Sequence, residues 1–307
     1  MRIGIDLGGT SVAAGLVDDA YKVLFRTSGK TAGCKTEHEL FVVINKCVYD
    51  LLEKSGVSID DIKSIGIGCP GSTDAVRGVV NVADNLPLLN TPVVKILNDE
   101  FKKPVLIDND ANCAAWGEYK TGIAKYHENM VMITIGTGIG GGIIINGKLI
   151  PGKENHAGEI GHMVVDIHGK RCACGRIGCW ETIASTRALI DKVKSETEHV
   201  PFTILGNVVS ENNGIVNGKT LFTAMKRGCK ISKSIFSDYI ELLAVGVMNI
   251  IEIFRPDMIV LGGGISREGD TLINPLREYI GETSTRIETS SLDDNAGIIG
   301  AALLHLK

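Results

Sequence analysis

The feature that most constrains the fold of this chain is a pattern that occurs twice: an apolar strand, a glycine-rich turn and a second apolar strand. The first copy spans residues 2–17 around the turn Gly8-Gly9-Thr10, and the second spans residues 130–146 around the glycine run 136–142. Further strand and helix patterns follow each copy. The repeat therefore predicts a duplicated α/β architecture of two domains with a cleft between them.

The glycine turns indicate a site for phosphate groups, although two familiar motifs fail. Gly136-x-Gly138-x-x-Gly141 fits the dinucleotide fingerprint, but the strand-like Ile143-Ile144-Ile145 follows where a helix is required. A P-loop at Gly142 to Lys148 fails because Leu149 stands where Ser or Thr must bind magnesium. What remains is a turn whose backbone N–H groups approach an anion closely. Such turns occur in both copies and again at 262–264, and together they favour a nucleotide.

Capping signals and apolar periodicity predict the main helices. Thr36 and Glu39 form a capping box before an apolar helical stripe that ends at Gly56. A second helix is predicted at 110–120 and a long apolar one at 237–254. The polar stretch 196–219 is predicted as a loop or insertion.

Composition excludes several classes of function. The 307 residues carry 32 Lys and Arg against 36 Asp and Glu, so the net charge of −4 gives no global attraction to nucleic acid or to an anionic membrane. The uncharged run 130–147 is shorter than the ~20 apolar residues of a membrane span, and glycine interrupts it. We predict two buried strands there. No apolar leader follows Met1, so we expect a cytoplasmic protein without nucleic-acid or membrane partners.

The cysteines fall into two groups. Five stand singly among apolar residues, as in the core of a reduced protein: Cys34, Cys47, Cys69, Cys113 and Cys229. The other three, Cys172, Cys174 and Cys179, follow His162 closely. A disulfide between Cys172 and Cys174 would be strained at that spacing. Three thiolates and one imidazole complete a tetrahedral shell, so we predict a structural Zn²⁺ site.

Polar side chains crowd around these ligands and before one predicted helix. Glu159 and Glu181 flank the cysteine segment, and Asn109-Asp110 closes a strand where a helix begins. An Asp at a helix N-terminus usually acts as a cap, and isolated glutamates are usually exposed surface charge. Spacing alone leaves both interpretations open.

Taken in order, the motifs of this chain resemble those of the ROK family of sugar kinases and repressors. The resemblance runs from Met1 to Lys307, and its most specific part is the Glu-x-Gly-His segment with the cysteine knuckle. The segments that carry it are Asp6-x-Gly8-Gly9-Thr10, Gly68-Cys69-Pro70-Gly71, Asn109-Asp110-Ala111-Asn112, Gly136 to Gly142, Gly158-Glu159-Ile160-Gly161-His162, Cys172-x-Cys174-Gly175-x-x-Gly178-Cys179-x-Glu181 and Gly262-Gly263-Gly264.

The resemblance implies an actin-like (ribonuclease H-like) fold of two domains and a homodimer. Residues 1–120 with a C-terminal helix at about 296–307 would form the smaller domain, and residues 121–295 the larger one with the zinc knuckle. ATP with Mg²⁺ would bind at the glycine loops, through Asp6, Gly8, Gly9, Thr10, Gly136, Thr137, Gly138, Gly262, Gly263 and Gly264.

The resemblance also implies roles for the polar residues. Asp110 would be the base that takes the proton from a sugar 6-hydroxyl, and the sugar would be bound by Gly71, Asn109, Asp110, Glu159, His162 and Glu181. The metal ligands would be His162, Cys172, Cys174 and Cys179. Phosphoryl transfer needs such positioning groups and one carboxylate near the nucleophile.

These observations favour an ATP-dependent glucokinase and leave alternatives open. An N-acetylhexosamine kinase would use the same residues, and Asn85-Leu86-Pro87-Leu88 stands where many family glucokinases have Asn-Leu-Gly-x-Trp. Fructokinases of the resembled family carry a different zinc-ligand pattern, so the resemblance implies that a chain with this cysteine knuckle does not act on fructose. A sugar-sensing repressor would need a DNA-binding helix-turn-helix before the core, whereas the first strand here begins at residue 2. An actin-like chaperone or filament protein is disfavoured by the zinc–carboxylate cluster.

Overall fold

A computed structural model describes residues 1–307 except Asp84 and Val200. The chain divides into two compact units. The first comprises Met1–Met132, Gly141–Gly158 and Ser290–Lys307, and the second comprises Ile133–Gly140 and Glu159–Thr289. Residues 121–132 and 141–158 thus lie in the same unit as residues 1–120 and the C-terminal segment. The domain boundaries expected from the family resemblance stay a prediction.

Strands and helices follow one another in groups along the chain. They are β1 (Arg2–Leu7), β2 (Ser11–Val17), β3 (Val23–Lys30), α1 (Glu37–Ser55), β4 (Ile65–Cys69), β5 (Ser72–Asp74), β6 (Val79–Ala83), β7 (Leu88–Thr91), α2 (Val93–Phe101), β8 (Val105–Asn109), α3 (Asp110–Thr121), β9 (Met130–Ile135), β10 (Ile139–Ile145), β11 (Lys148–Leu149), α4 (Glu181–Ala184), α5 (Thr186–His199), α6 (Ile204–Glu211), α7 (Gly218–Lys226), α8 (Lys230–Phe254), β12 (Met258–Gly262), α9 (Asp270–Ile280), β13 (Arg286–Thr289) and α10 (Ala296–Ala302).

The first sheet has the strand order β3-β2-β1-β4-β8. β1 pairs antiparallel with β2, and β4 pairs parallel with both β1 and β8. The register sets Asp6 opposite Gly68 and Cys69 opposite Asn109. Because parallel strands end at the same edge of a sheet, the ends of β1, β4 and β8 meet there, which is where open α/β sheets bind ligands.

The described residues form two further sheets. One has the order β5-β6-β7 and is antiparallel throughout. The other has the order β11-β10-β9-β12-β13, in which β12 and β13 run parallel with Leu261 opposite Thr289. β9 and β10 confirm the two strands predicted within residues 130–146.

Helix α1 has the ends that its sequence predicts. The Thr36 side chain accepts a hydrogen bond from the Glu39 backbone N–H, and Gly56 ends the helix in the left-handed conformation at φ 66°. The Glu39 carboxylate accepts from the Lys35 N–H at 2.6 Å, so the capping box is displaced by one residue. Leu40, Ile44 and other apolar residues of this helix are buried in the core of the first unit.

Three predictions of local structure are wrong. The glycine turn is limited to 136–138, because β10 begins at Ile139. A Cβ atom at Gly142 would lie 2.4 Å from the Ala115 Cβ, so this glycine allows close packing of β10 on α3. The apolar helix begins at Lys230 rather than at 237, and the predicted loop 196–219 contains α6 and the ends of α5 and α7.

Helix α8 is long and apolar enough to cross a membrane by length and composition, but half of its apolar window is buried. Tyr239 and Leu243 are among its buried residues. The Tyr239 hydroxyl donates to the Ala184 carbonyl at 2.9 Å, and the Trp180 indole donates to the Leu242 carbonyl at 3.0 Å. These contacts are those of a core helix of the second unit.

Candidate functional site

The junction between β8 and α3 carries Asn109 and Asp110. Asn109 is the N-cap, because its Oδ1 accepts from the backbone N–H groups of Ala111 at 2.9 Å and Asn112 at 3.3 Å. Asp110 is the first residue of the helix. Asp110 Oδ1 also accepts from the Ala111 N–H, at 2.8 Å. The N-cap position itself belongs to Asn109, so Asp110 is not the cap residue, although it shares one of the donors. The predicted catalytic role of Asp110 stays a prediction.

Gly71 lies beside this junction in the same unit. The Asn109 Nδ2 donates to the Gly71 carbonyl at 3.2 Å. Gly71 has a φ of 82°, and a Cβ atom there would lie 2.3 Å from the Val82 carbonyl oxygen. Glycine is thus required at this position both for its backbone conformation and for space. The contact brings together two of the predicted sugar-binding residues, Gly71 and Asn109.

The turn between β1 and β2 holds the first predicted phosphate loop. The Gly8 N–H donates to the Ser11 carbonyl at 2.8 Å, and the N–H of Thr31 donates to the Thr10 carbonyl at 3.1 Å. A Cβ atom at Gly9 would lie 2.9 Å from the Asn85 side chain. The loop is therefore fixed by backbone hydrogen bonds and leaves little room for side chains.

Asp6 is the penultimate residue of β1, the strand that leads into this turn. Burial raises the pKa of Asp6 to about 7, and the negative charge of Asp110 adds to the shift while Arg26 opposes it. Two carboxylates whose charges repel at the same sheet edge form a site that gains from a bound cation. This is the electrostatic setting expected of a site for a magnesium-bound phosphate.

The remaining two predicted phosphate loops lie together in the second unit. The Gly136 N–H donates to the Gly138 carbonyl at 2.9 Å, closing the turn around Thr137. Gly263 has a φ of 88°, and a Cβ atom there would lie 2.3 Å from the carbonyl oxygen of Ile135, directly before that turn. A Cβ atom at Gly138 would lie 2.6 Å from Glu181 Oε2. The second loop thus borders one of the predicted sugar-binding carboxylates.

The second unit also brings the four predicted metal ligands together. One ligand atom from each of His162, Cys172, Cys174 and Cys179 lies within 4.8 Å of the other three. His162 Nδ1 is 3.6 Å from Cys172 Sγ, and Cys174 Sγ is 3.5 Å from Cys179 Sγ. Tetrahedral Zn²⁺ with its usual bond lengths separates such atoms by about 3.5–3.8 Å. The donor set and its spacing therefore fit a structural Zn²⁺ site.

The thiol pKa values describe this cluster before a metal binds. Burial raises the pKa of the Cys172 and Cys179 thiols. The Arg176 backbone N–H hydrogen-bonds Cys174 and lowers the pKa of its thiol. A bound cation favours thiolates and offsets the cost of burial.

Glu159 and Glu181 lie on either side of the His162 ring. His162 Nε2 is 3.8 Å from Glu159 Oε2, and Nδ1 is 3.5 Å from Glu181 Oε1. Cys172 Sγ donates to Glu181 Oε1 at 2.9 Å. Glu181 is therefore partly buried and paired rather than an isolated surface charge, whereas Glu159 is exposed, as the surface-charge interpretation expects. Nδ1 faces the thiols, which leaves Nε2 on the side of Glu159.

Comparison with known proteins gives matches along the whole chain. The ROK family model matches residues 2–307. A glucokinase of Streptomyces coelicolor is 33% identical over 315 residues, which cover 98% of this chain and 96% of that protein. A xylose repressor of Caldicellulosiruptor bescii is 32% identical over 317 residues, which cover 99% of this chain and 78% of the repressor.

Solved structures give the same result. A ROK family glucokinase from Streptomyces griseus, in complex with glucose and AMPPNP, superposes with a TM-score of 0.89 at 33% identity, covering 99% of this chain and 98% of that one. A Listeria monocytogenes protein described as a putative N-acetylmannosamine kinase has a TM-score of 0.81 at 25% identity, covering 99% and 98%. The predicted actin-like ATPase fold with two domains is confirmed.

Proposed function

Because this chain belongs to the ROK family, we propose that it is a sugar kinase that transfers the γ-phosphoryl group of ATP to the 6-hydroxyl of a hexose, glucose being the first candidate. The observation that carries the proposal is the second unit's cluster, in which two carboxylates flank a histidine held among three thiols. This arrangement offers several fixed polar groups to sugar hydroxyls, within a chain related over its whole length to glucokinases.

In the proposed reaction Asp110 accepts the proton of the 6-hydroxyl as its oxygen attacks the γ-phosphorus. The new O–P bond forms, and the bond between the γ-phosphorus and the oxygen of ADP breaks. Glu159, His162 and Glu181 are proposed to hold the remaining hydroxyls, and Gly71 and Asn109 are further proposed sugar-binding residues. Mg²⁺ bound with ATP would neutralise charge on the phosphates. Asp6 and the three glycine loops hold the nucleotide.

The zinc ligands have a supporting role in this proposal. Three thiolates and one imidazole fill a tetrahedral shell and leave no position for a catalytic water, so the metal would hold the 159–181 segment in shape. Once Cys172 is a thiolate ligand, it has no proton to donate to Glu181. The Glu181 carboxylate is then available to a sugar hydroxyl.

A second candidate is an N-acetylhexosamine kinase. It is favoured by the similarity to the Listeria protein and by the segment Asn85 to Leu88. In this segment Leu86 is buried in the turn before β7, and Leu88 is the buried first residue of that strand. A sugar-sensing regulator is a third candidate, because repressors are among the relatives. The cytoplasmic location and the homodimeric state stay predictions. Sedimentation of the purified chain checks the homodimer.

One experiment separates the candidates: ATP consumption by the purified chain with glucose, N-acetylglucosamine, N-acetylmannosamine, mannose and fructose. We expect the highest kcat/KM with glucose. A higher kcat/KM with an N-acetylated sugar would identify that sugar, rather than glucose, as the substrate. No turnover with any of the five, together with sugar binding in a direct titration, contradicts the kinase proposal and supports the regulator.

A further inference from the structure

Asp108 is a buried carboxylate that the proposed reaction does not use. It lies at the end of β8, immediately before Asn109 and Asp110, and its exposed fraction is 0%. An ionised carboxylate is costly to bury unless hydrogen bonds and an opposite charge compensate it. A residue of this kind beside a catalytic segment therefore needs a structural explanation.

The contacts of Asp108 join four separate segments of the first unit. Its Oδ1 accepts from the Asn109 backbone N–H at 2.7 Å, from Asn155 Nδ2 at 2.8 Å and from Asn112 Nδ2 at 2.9 Å. Its Oδ2 pairs with the Lys307 ammonium group. The carboxylate is thus fully engaged, with three donors on one oxygen and a cation on the other.

These contacts fix the backbone around the proposed catalytic base. The peptide N–H of Asn109 points to Asp108, while the Asn109 side chain caps α3 and donates to Gly71. Asn155 also donates to the Thr73 hydroxyl at 2.9 Å, in the strand that follows Gly71. The same hydrogen-bond network therefore holds two segments of the first unit that carry proposed site residues. One is the Asn109–Asp110 junction, and the other is the segment at Gly71.

We propose that Asp108 is a positioning residue for Asp110 and Asn109, with Lys307 as its counter-ion. This rests on the proposed function, because it assumes that Asp110 is the base. A base acts efficiently only when it is held within hydrogen-bond reach of the proton that it removes. Replacing the carboxylate by a neutral amide weakens its hold on the Asn109 peptide and on Asn155 and removes the pair with Lys307. Both segments can then move, which displaces Asp110 from the sugar hydroxyl.

The alternative is that Asp108 only stabilises the fold, and Glu118 provides a matched control. Glu118 is also 0% exposed and lies in α3, about two turns after Asp110. Its carboxylate accepts from the backbone N–H groups of Ile123 and Leu292, both at 2.9 Å, and from the hydroxyls of Ser290 and Ser291. It has as many donors as Asp108, and none of them belongs to the proposed site.

The test compares Asp108→Asn with Glu118→Gln in the full chain. Both variants keep the size of the side chain and remove one buried charge. We expect both to lower Tm, but only Asp108→Asn to lower kcat, by about tenfold, with the KM for ATP changed less than about twofold. All kinetics are measured about 15 °C or more below the Tm of the less stable variant, so that unfolding does not contribute.

Asn155→Ala is the milder variant should Asp108→Asn fail to fold. It removes one donor at the edge of the network, and we expect kcat to fall several-fold. A kcat within twofold of wild type in whichever of these variants folds overturns the proposal. So does an equal loss of kcat in Glu118→Gln. An inactive wild-type chain overturns the proposed function and this proposal together, whereas an active wild type with active variants overturns only this one.

Discussion

Asp6 should destabilise the ligand-free protein near neutral pH, because its carboxyl group is buried beside Asp110 without a full counter-charge. Its pKa is raised from 3.8 to about 7. A carboxyl group whose pKa is higher in the folded than in the unfolded state favours folding below the unfolded pKa. That contribution is lost as the pH rises through the folded pKa.

The magnitude follows from the size of this shift. About three pKa units at about 1.4 kcal/mol each give an upper value of about 4 kcal/mol. The Asp6 residue keeps some solvent exposure, so we expect about half of that, about 2 kcal/mol. Asp6→Asn removes the titration and keeps the size of the side chain. The variant should be more stable than wild type by about 2 kcal/mol at pH 8 and nearly equal to it at pH 4.

The assay is urea unfolding of both proteins from pH 4 to pH 8, without nucleotide, Mg²⁺ or chelator. The charged groups near Asp6, which are Asp110, Arg26 and Asp294, are present in both proteins, so their own contributions to stability cancel to first order. Asp19→Asn is the control, because hydrogen bonds from Lys63 and Arg2 lower the pKa of this exposed carboxyl group. It should gain no stability at pH 8.

Parallel stability curves for wild type and Asp6→Asn between pH 4 and pH 8 would refute this account of Asp6. The same variant should have a much lower turnover with ATP, since the proposed nucleotide site loses a charge. Gain in stability with loss of activity is the pattern expected of a strained functional residue.

Three further predictions concern the other parts of the site. Asp110→Asn should lower kcat by about 100-fold or more while the free energy of unfolding changes by less than about 1 kcal/mol, because Asn109 remains the cap; unchanged kcat contradicts the role as base. Gly136→Val should raise the KM for ATP about tenfold or more without affecting sugar binding in a direct titration. Its Cβ meets no atom within 4 Å, whereas a side chain at Gly138 would press on Glu181; equal loss of both affinities would indicate misfolding. We expect metal analysis of wild type to give about one zinc per chain. Cys174→Ala should lose this zinc and weaken sugar affinity while ATP binding persists; full activity without zinc refutes the supporting role of the metal.

Short-range chemistry made several features readable from the sequence. The bounds of β1 and β2 follow from two apolar runs separated by a glycine turn, and the ends of α1 follow from Thr36 and Gly56. The four metal ligands are also recognisable, because ligand type and spacing are local properties of residues 162–179. Such features depend on residues that are close together in the sequence. They can therefore be read without knowing how the rest of the chain packs.

Other features were decided only when distant segments packed together. The glycines at 140–142 looked like part of a phosphate turn, but Gly142 is small because Ala115 of α3 packs against it. The choice of Asn109 over Asp110 as the cap depends on the exact turn at which β8 ends. Asp108 gave no sequence signal at all, since its counter-ion is Lys307, almost two hundred residues away along the chain. Burial, pKa and charge pairing are properties of the packed chain, because desolvation and Coulomb energy depend on distance in space.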